Sequence, residues 1–185
     1  MGFPQEPAQE RTATVFQALS GLVPEDAIIP VDVGNNTSSF ECHSQAVLMS
    51  GYLGSIGFTL PAAFGAWTAT QNKDGRFADR QVVSVSGDGG LGQYLAELTT
   101  AVKYEMNITH VLLNNSELGK LSKEQRSGNG EVWQTSLANP DFAAYAELCG
   151  TIGIRVESEA EPALKRAIAH DELALVEILA DAQLI

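Results

Sequence analysis

The chain has 185 residues, of which 44% are hydrophobic and 18% are charged, and its formal net charge is −12. This length and composition are typical of one soluble globular domain and exclude an intrinsically disordered chain. The excess of acids opposes binding to nucleic acid and to anionic membranes, and no apolar run in the sequence approaches the ~18 residues of a membrane span. We therefore expect a cytoplasmic protein without nucleic-acid or membrane partners.

The beginning of the chain is predicted to be a linker followed by a helix and a buried strand. Residues 1–11 are polar, contain proline and lack the charged and apolar regions of a signal peptide, so we interpret them as a linker or an added start. Residues 12–185 are expected to form a single domain. A helix is predicted over Thr12–Gly21 and a strand over Ala27–Val33, in which Pro30 suggests an edge position or a bulge.

Glycines are concentrated in two segments of the first half of the chain. A turn, Gly34-Asn35-Asn36, directly follows the first predicted strand. The segment Ser50–Ala63 carries glycines at a spacing of three and continues into a helix predicted over Leu60–Ala69; these glycines are Gly51, Gly54 and Gly57. Because glycine has no Cβ atom, such a segment lets the backbone pass close to a ligand.

The stretch from Val82 to Asn115 carries the strongest pattern. A buried strand over Val82–Ser86 runs into a tight glycine turn around Asp88, and a second buried strand ends on Asn114 and Asn115. The helix between them is predicted from apolar residues at helical spacing, which are Leu91, Leu95, Leu98 and Val102. The strands of such a βαβ unit are parallel, so Asp88 and Asn115 are expected at the same edge of the sheet, where open α/β sheets bind ligands.

The chemistry of this edge suits a metal-bound phosphate. A carboxylate and an amide oxygen are hard ligands for Mg²⁺, and glycine amides at the start of a helix suit phosphate. The motif Gly87-Asp88-Gly89, followed by 24 residues and then Asn114-Asn115, resembles the signature of thiamine-diphosphate-dependent enzymes of the acetolactate synthase, pyruvate oxidase and 2-oxo acid decarboxylase type. The resemblance extends over roughly Ala27–Ile185 and implies the C-terminal, diphosphate-binding domain of such an enzyme.

The resemblance implies a metal site and a cofactor site. Mg²⁺ would be bound by the Asp88 carboxylate, the Asn115 side-chain oxygen and the Glu117 backbone carbonyl, together with two diphosphate oxygens and a water. The thiamine diphosphate itself would contact two turns and the second glycine segment. The residues of the turns are Gly87, Gly89, Gly90, Gly34, Asn35 and Asn36, and those that contact the aminopyrimidine are Gly54, Ser55 and Ile56.

The resemblance also implies a partner and a reaction. Enzymes of this family need a pyrimidine-binding domain, for which a chain of 185 residues has no room. We therefore expect a subunit of a split enzyme or a fragment of a longer one, inactive alone and part of a homo- or hetero-oligomer. FAD could bind only through a domain that this chain lacks. The expected substrate is a 2-oxo acid such as pyruvate, decarboxylated with oxidation or carboligation.

A finer resemblance concerns the residues after the second asparagine. Pyruvate decarboxylases keep an acid six residues beyond it, where this chain has Leu121. Pyruvate oxidases resemble this chain in the GDGG turn and in an acid nine residues beyond the asparagine, which is Glu124 here. Glu124 is therefore the candidate catalytic residue, either as an acid over the cofactor or as a solvated acid in an exposed loop.

The second half of the chain continues the alternation of helices and strands. Ser116–Pro140 is aperiodic and is predicted to be a mobile active-site loop. The further predicted elements are a helix capped by Asn139 with Pro140 at its first position and Gly150 after its end, a strand over Thr151–Val156, a helix around Glu161–His170 with Ser158 and Glu161 as a capping box, and a strand over Ala174–Leu179. This alternation predicts an α/β fold with a doubly wound, mostly parallel sheet and helices on both faces.

Two other classes of protein remain open from the residues alone. Haloacid-dehalogenase-like phosphatases use a GDG-x-N-D motif, but Asn-Asp does not follow the glycines here. A noncatalytic or regulatory domain could retain the fold. The histidines show no metal-ligand spacing, and His110, inside an apolar strand, is interpreted as a hydrogen-bonded core residue. Cys42 and Cys149 are interpreted as reduced thiols.

Overall fold

A six-stranded sheet forms the centre of the protein. The computed structural model describes residues 12–34 and 46–181. Within them every strand pairing is parallel and the strand order is β2-β1-β3-β4-β6-β5. The strands are β1 (Ile28–Val31), β2 (Ala46–Met49), β3 (Val82–Gly87), β4 (Ile108–Asn114), β5 (Ile152–Val156) and β6 (Ala174–Leu179). The chain moves outward from β1 to β2 and then in the opposite direction from β3 onward, so a topological switch point lies between β1 and β3.

Helices cover both faces of this sheet. They are α1 (Thr12–Leu22), α2 (Thr59–Thr70), α3 (Asp88–Leu91), α4 (Leu98–Lys103), α5 (Gly119–Ser127), α6 (Phe142–Leu148) and α7 (Ala160–Ile168). Helices α1 and α7 pack on one face, where Phe16, Leu19 and Leu164 are buried among the strand valines. Helices α2, α3, α4 and α6 pack on the other face through residues that include Leu60 and Phe142. The predicted doubly wound α/β fold is therefore confirmed, and every strand pair among the described residues is parallel.

One strand was not predicted, and the position of Pro30 was predicted wrongly. Strand β2 lies at the edge of the sheet, and Leu48 and Met49 are partly exposed, so this short run gave no hydrophobic alternation to detect. Strand β1 lies between β2 and β3, and its register with β2 is uninterrupted, so Pro30 marks neither an edge nor a bulge. The amides of Ile28 and Asp32 donate to β3 or its start, so the missing amide of Pro30 faces the same side and leaves a single gap.

The helix predicted after Asp88 is broken into pieces. Strand β3 extends to Gly87 and α3 begins at Asp88, so there is no separate turn between them. A 3₁₀ segment over Gly92–Glu97 then separates α3 from α4, and Tyr94 inside it has non-helical dihedral angles. The apolar spacing predicted the buried face, since Leu91 and Leu98 are in the core. It could not show the kink, because periodicity reports which residues face inward and not whether the axis is continuous.

Three predictions for the second half of the chain need correction. The segment Ser116–Pro140 is not an irregular loop throughout, since it contains the nine-residue helix α5. The cap of α6 is Asp141, whose side chain accepts from the Ala144 amide, and not Asn139. Helix α7 begins at Ala160 without a side-chain cap, so the Ser158 capping box does not form.

Two further predictions concern single residues and the membrane. Cys149 is a free thiol packed partly buried against the core, whereas Cys42 lies outside the described residues. None of the helices in residues 12–34 and 46–181 is long and apolar enough to cross a membrane.

His110 is a hydrogen-bonded core residue, as predicted. It lies in the middle of β4 and is fully buried. Its Nδ1 lies 2.8 Å from the Ser84 hydroxyl oxygen and its Nε2 lies 2.8 Å from the Ser86 hydroxyl oxygen, both on β3. Burial lowers the pKa of His110 to about 4, because the charged imidazolium would lose its hydration. The ring is therefore neutral and links the two central strands.

This lowered pKa predicts a pH dependence of stability. Between the unfolded pKa of about 6.5 and the folded value of about 4, the unfolded chain binds the additional proton, so the free energy of unfolding falls as the pH falls. Between pH 7 and pH 5, His110 is expected to contribute a loss of about 2 kcal/mol. Urea denaturation of the wild type and of His110→Gln at both pH values measures it as the difference between their slopes. Parallel slopes would show that His110 titrates alike in the folded and unfolded chain.

Candidate functional site

The largest cavity of the described structure opens at the topological switch point. It has a volume of about 750 Å³, within the range of small-molecule sites, and lies at the carboxyl ends of β1, β3 and β4. Residues that line it come from these three strand ends, from the second glycine segment and from helix α5. Those predicted from the sequence are Gly34, Gly54, Ile56, Gly87, Asp88, Gly89, Gly90, Asn115, Glu117 and Glu124. Asn35 and Asn36 lie outside the described residues.

Asp88 and Asn115 lie on neighbouring strand ends, as expected. Strands β3 and β4 are parallel neighbours, and Gly87 at the end of β3 pairs with Leu113 in β4. Asp88 is the first residue of α3, and Asn115 follows β4 directly. Both line the cavity, together with Glu117. The three residues therefore bring a carboxylate, an amide oxygen and a backbone carbonyl to one wall.

Asp88 is a buried carboxylate, only 3% exposed. Its Oδ1 accepts a hydrogen bond from the Gly89 amide at 3.0 Å, and its Oδ2 accepts one from the Asn139 side-chain amide at 2.6 Å. Burial raises the pKa of Asp88 above its ordinary value, and the hydrogen bonds from Asn139, Gly89 and the Ser116 amide oppose that rise. A nearby cation would also stabilise the charged form.

Glu117 and Asn115 are held by local contacts. The Asn115 Oδ1 atom accepts from the Glu117 amide at 3.1 Å, and the Glu117 carbonyl accepts from the Gly119 amide at 2.9 Å. The Glu117 carboxylate forms an ion pair with Arg126 at 3.0 Å. Each of these oxygens has a second lone pair, so the hydrogen bonds orient the Asn115 oxygen and the Glu117 carbonyl without using their full capacity as ligands.

The second glycine segment forms another wall of the cavity. Gly54 and Ile56 line it, and the Ile56 side chain is 46% exposed. Ser55 does not belong to the lining; its amide donates to the Ser50 hydroxyl oxygen at 3.1 Å. Gly54 has a φ angle of +57° and Gly57 one of +82°, which the absence of a side chain permits.

Asp32 is a site residue that sequence reasoning missed. It follows β1, is 1% exposed and lines the cavity. Its Oδ1 accepts from the Val33 amide at 2.9 Å and its Oδ2 from the Gly57 amide at 3.0 Å, so it ties the glycine segment to the end of β1. Burial raises the pKa of Asp32, against the effect of these hydrogen bonds and one from Phe58. An acid directly after a buried strand was the available signal, because Asp88 occupies the equivalent position after β3.

Gly90 allows Asp32 to reach this position. A Cβ atom on Gly90 would lie 2.0 Å from the Asp32 Oδ2 atom and 3.5 Å from the Gly57 nitrogen. The first distance is far below any van der Waals contact. The glycine is thus required for the close packing of α3, the β1 end and the glycine segment.

Helix α5 forms the outer wall. Lys120, Leu121 and Glu124 line the cavity, and Glu124 is exposed. The helix is anchored at its base by a short antiparallel ladder, in which the Leu118 amide donates to the Thr135 carbonyl and the Leu137 amide to the Ser116 carbonyl, both at 2.8 Å. Lys120 was not predicted as a site residue; it is the one lysine or arginine among the described lining residues.

Metal ligands in this cavity are few. Among residues 12–34 and 46–181, no group of three or more His, Cys, Asp and Glu side chains is arranged to hold a metal ion. A Mg²⁺ site that uses one carboxylate, one side-chain amide and one backbone carbonyl does not need such a group, because Mg²⁺ takes its other ligands from water and phosphate.

The fold and this cavity define a domain of the cofactor-binding α/β type, with its ligand site at the carboxyl ends of the strands. The family model described as "Thiamine pyrophosphate enzyme, C-terminal TPP binding domain" matches residues 32–178. The chain belongs to this family. It is therefore a thiamine-pyrophosphate-binding C-terminal domain of the kind found in enzymes such as acetolactate synthase.

Individual relatives agree with this assignment. YdaP of Bacillus subtilis (strain 168), whose assigned name links it to thiamine pyrophosphate, is 35% identical over 172 residues, which cover 89% of this chain and 29% of that protein. The catabolic acetolactate synthase of Raoultella terrigena is 32% identical over 90% of this chain and 30% of its own length. This chain therefore spans about 30% of the length of these relatives.

A solved structure agrees as well. The thiamine diphosphate-dependent 4-hydroxybenzoylformate decarboxylase of Rhodococcus jostii RHA1 superposes with a TM-score of 0.82 at 27% identity, over 98% of this chain and 35% of the other.

The contact between Gly90 and Asp32 yields a prediction. Gly90→Ala is expected to lower the free energy of unfolding by about 1–3 kcal/mol, the usual cost of overpacking, because the new methyl group must displace Asp32. Gly92→Ala is the control, since a Cβ atom there meets nothing within 4 Å. Urea denaturation of both variants measures the difference. Equal stability of the two variants would contradict the close contact.

Proposed function

We propose that this chain is the diphosphate- and Mg²⁺-binding domain of a thiamine-diphosphate-dependent enzyme that acts on a 2-oxo acid such as pyruvate. The observation that carries this proposal is the convergence of Asp88, Asn115 and Glu117 on one wall of a 750 Å³ cavity, beside the glycines at the start of α3. Bound thiamine diphosphate supplies the carbanion-stabilising chemistry that decarboxylation of a 2-oxo acid requires. The residues of this chain bind and orient it.

The oxygen atoms at this wall fit Mg²⁺. The Asp88 carboxylate, the Asn115 side-chain oxygen and the Glu117 carbonyl are hard ligands, and together they leave other positions to diphosphate oxygens and water. Gly89 and Gly90 bring backbone amides to the same end of the cavity without side chains in front of them. We assign the aminopyrimidine to the opposite wall, at Gly54 and Ile56.

The charge of the cavity explains why a metal is needed. Four acids line it, Asp32, Asp88, Glu117 and Glu124, against the single cation Lys120 among the described residues. An anionic diphosphate would be repelled by this surface. A divalent cation held by Asp88 reverses the local charge, so we expect diphosphate binding to depend strictly on Mg²⁺.

We also propose that a pyrimidine-binding domain covers the open side of the cavity. Apolar side chains stand exposed around the opening, including Tyr52 at 99%, Leu53 at 80% and Leu121 at 49%. Exposed apolar groups in one region are typical of a surface that another protein covers. The partner lies in another chain or in the remainder of a longer protein, and the 185-residue chain alone is expected to be inactive.

The metal assignment predicts the effect of two substitutions. Asp88→Ala and Asn115→Ala are each expected to abolish Mg²⁺-dependent binding of thiamine diphosphate, because each removes a ligand from a site with few protein ligands. Titration of the chain with thiamine diphosphate, in Mg²⁺ and in EDTA, can be followed by amide NMR shifts, which detect weak binding. Asp74→Ala is the control, since Asp74 is an exposed acid outside the cavity. Unchanged affinity in Asp88→Ala would refute the metal site.

Glu124 is proposed to act on the substrate and not on cofactor binding. It lines the cavity from helix α5, whereas Asp88, Asn115 and Glu117 lie on the strand ends and the residues that follow them. Leu121, which also lines the cavity, cannot transfer a proton. Glu124 therefore has the access that a general acid needs, in a position that can approach a substrate from the outer wall.

Substitution of Glu124 separates catalysis from binding. In the enzyme assembled with a pyrimidine-binding domain, Glu124→Gln is expected to slow product formation and to leave the affinity for thiamine diphosphate within about threefold, or roughly 0.7 kcal/mol. Glu131→Gln is the matched control, because Glu131 is an exposed acid of the same segment outside the cavity lining. Wild-type turnover in Glu124→Gln would make Glu124 a surface residue.

A further inference from the structure

A chain of polar side chains runs from Asp88 across the carboxyl edge of β3, β4 and β6. The Asn139 side-chain nitrogen donates to Asp88 Oδ2 at 2.6 Å and to Asn114 Oδ1 at 2.9 Å. The Asn114 side-chain nitrogen donates to Glu177 Oε1 at 2.7 Å. Glu177 is fully buried and forms an ion pair with Arg155 at 3.0 Å. The predicted metal ligand is thereby connected to an ion pair on the far side of β4.

The direction of these hydrogen bonds is fixed from the buried end. Glu177, paired with the Arg155 guanidinium and accepting from the Ala143 amide at 3.1 Å, acts as an acceptor. Asn114 must therefore turn its nitrogen toward Glu177 and its oxygen toward Asn139. Asn139 must then present its nitrogen to both neighbours, and its two hydrogens are used on Asn114 and Asp88. No other orientation of the two amides satisfies all four groups.

Asn139 is also the side chain that holds Asp88. The other donors to this carboxylate are backbone amides, those of Gly89 and Ser116. Both belong to the segments that carry the ligands, so they move with them. Asn139 belongs to a different segment, the one that leads into α6, and is anchored through Asn114 and Glu177. It therefore fixes the rotation of the carboxylate relative to the rest of the sheet.

We propose that Asn139 is a positioning residue of the metal site, which orients the Asp88 carboxylate for Mg²⁺ through the chain Asn139–Asn114–Glu177–Arg155. This inference rests on the proposed function, because it concerns the same metal. It differs from the sequence-based interpretation of Asn139 as a helix cap, which the structure assigns to Asp141. Residues that orient metal ligands in this way typically change metal affinity by 10–100-fold when they are removed.

The first experiment measures the affinity of the folded chain. Thiamine diphosphate is titrated into the chain in Mg²⁺ and in EDTA, with amide NMR shifts as the readout. Asn139→Ala is expected to weaken Mg²⁺-dependent binding by about tenfold or more, and Asn139→Ser, which keeps one donor, by an intermediate factor. Asn72→Ala, the same truncation in an exposed loop, is expected to bind as the wild type does. A residue with a purely structural role would lower stability and leave this affinity unchanged.

The second experiment tests the contact without metal. A double-mutant cycle compares the loss of stability on Asn139→Ala in the wild type and in Asp88→Ala, measured by urea denaturation in EDTA. The loss is expected to be smaller in Asp88→Ala, since the acceptor is already absent. Equal losses in both backgrounds would overturn the inference.

The outcomes separate this inference from the proposed function. If the wild-type chain shows no Mg²⁺-dependent binding, the proposed function fails, and the role of Asn139 fails with it. If the wild type binds and Asn139→Ala binds equally well, only the positioning role is overturned. Weaker binding in Asn139→Ala together with unequal losses in the cycle supports both.

Discussion

The parallel pairing of β3 and β4 is the constraint on which the candidate site depends. The two strands are joined in register, so the residues that follow them reach the same edge of the sheet although two helices and a 3₁₀ segment separate them in sequence. A shift of the register by one residue would turn the strand side chains to opposite faces and displace Asp88 from Asn115. The His110 contacts to Ser84 and Ser86 help to hold that register from within the core.

Two buried acids at the switch point have different surroundings. Both oxygens of Asp32 accept from backbone amides, and these contacts hold the second glycine segment against β1. Asp88 accepts from one side chain, Asn139, as well as from backbone amides. Burial raises the pKa of both carboxyl groups, so each is charged at a cost that its partners offset. The difference in partners suits Asp32 to holding the backbone and Asp88 to binding a metal ion.

Local patterns in the sequence predicted most of the fold, and contacts between distant segments account for what they missed. The buried strands and the apolar residues of the helices were predicted because they repeat within a few residues. Strand β2 is short, lies at the edge and has exposed side chains, so it has no such repeat. The acids and glycines of the cavity were predicted by the motif, whereas Asp32 and Asn139 act through partners far away in the chain.

The pair of asparagines at the end of β4 illustrates this limit. The side chains of successive strand residues point to opposite sides, so Asn114 and Asn115 cannot share one task. Asn115 lines the cavity, and Asn114 connects Asn139 to Glu177. The motif shows two identical residues, and only the neighbouring strand β6, which supplies Glu177, distinguishes them. One asparagine therefore faces the proposed metal, and the other connects the residue that holds its carboxylate ligand to the buried ion pair.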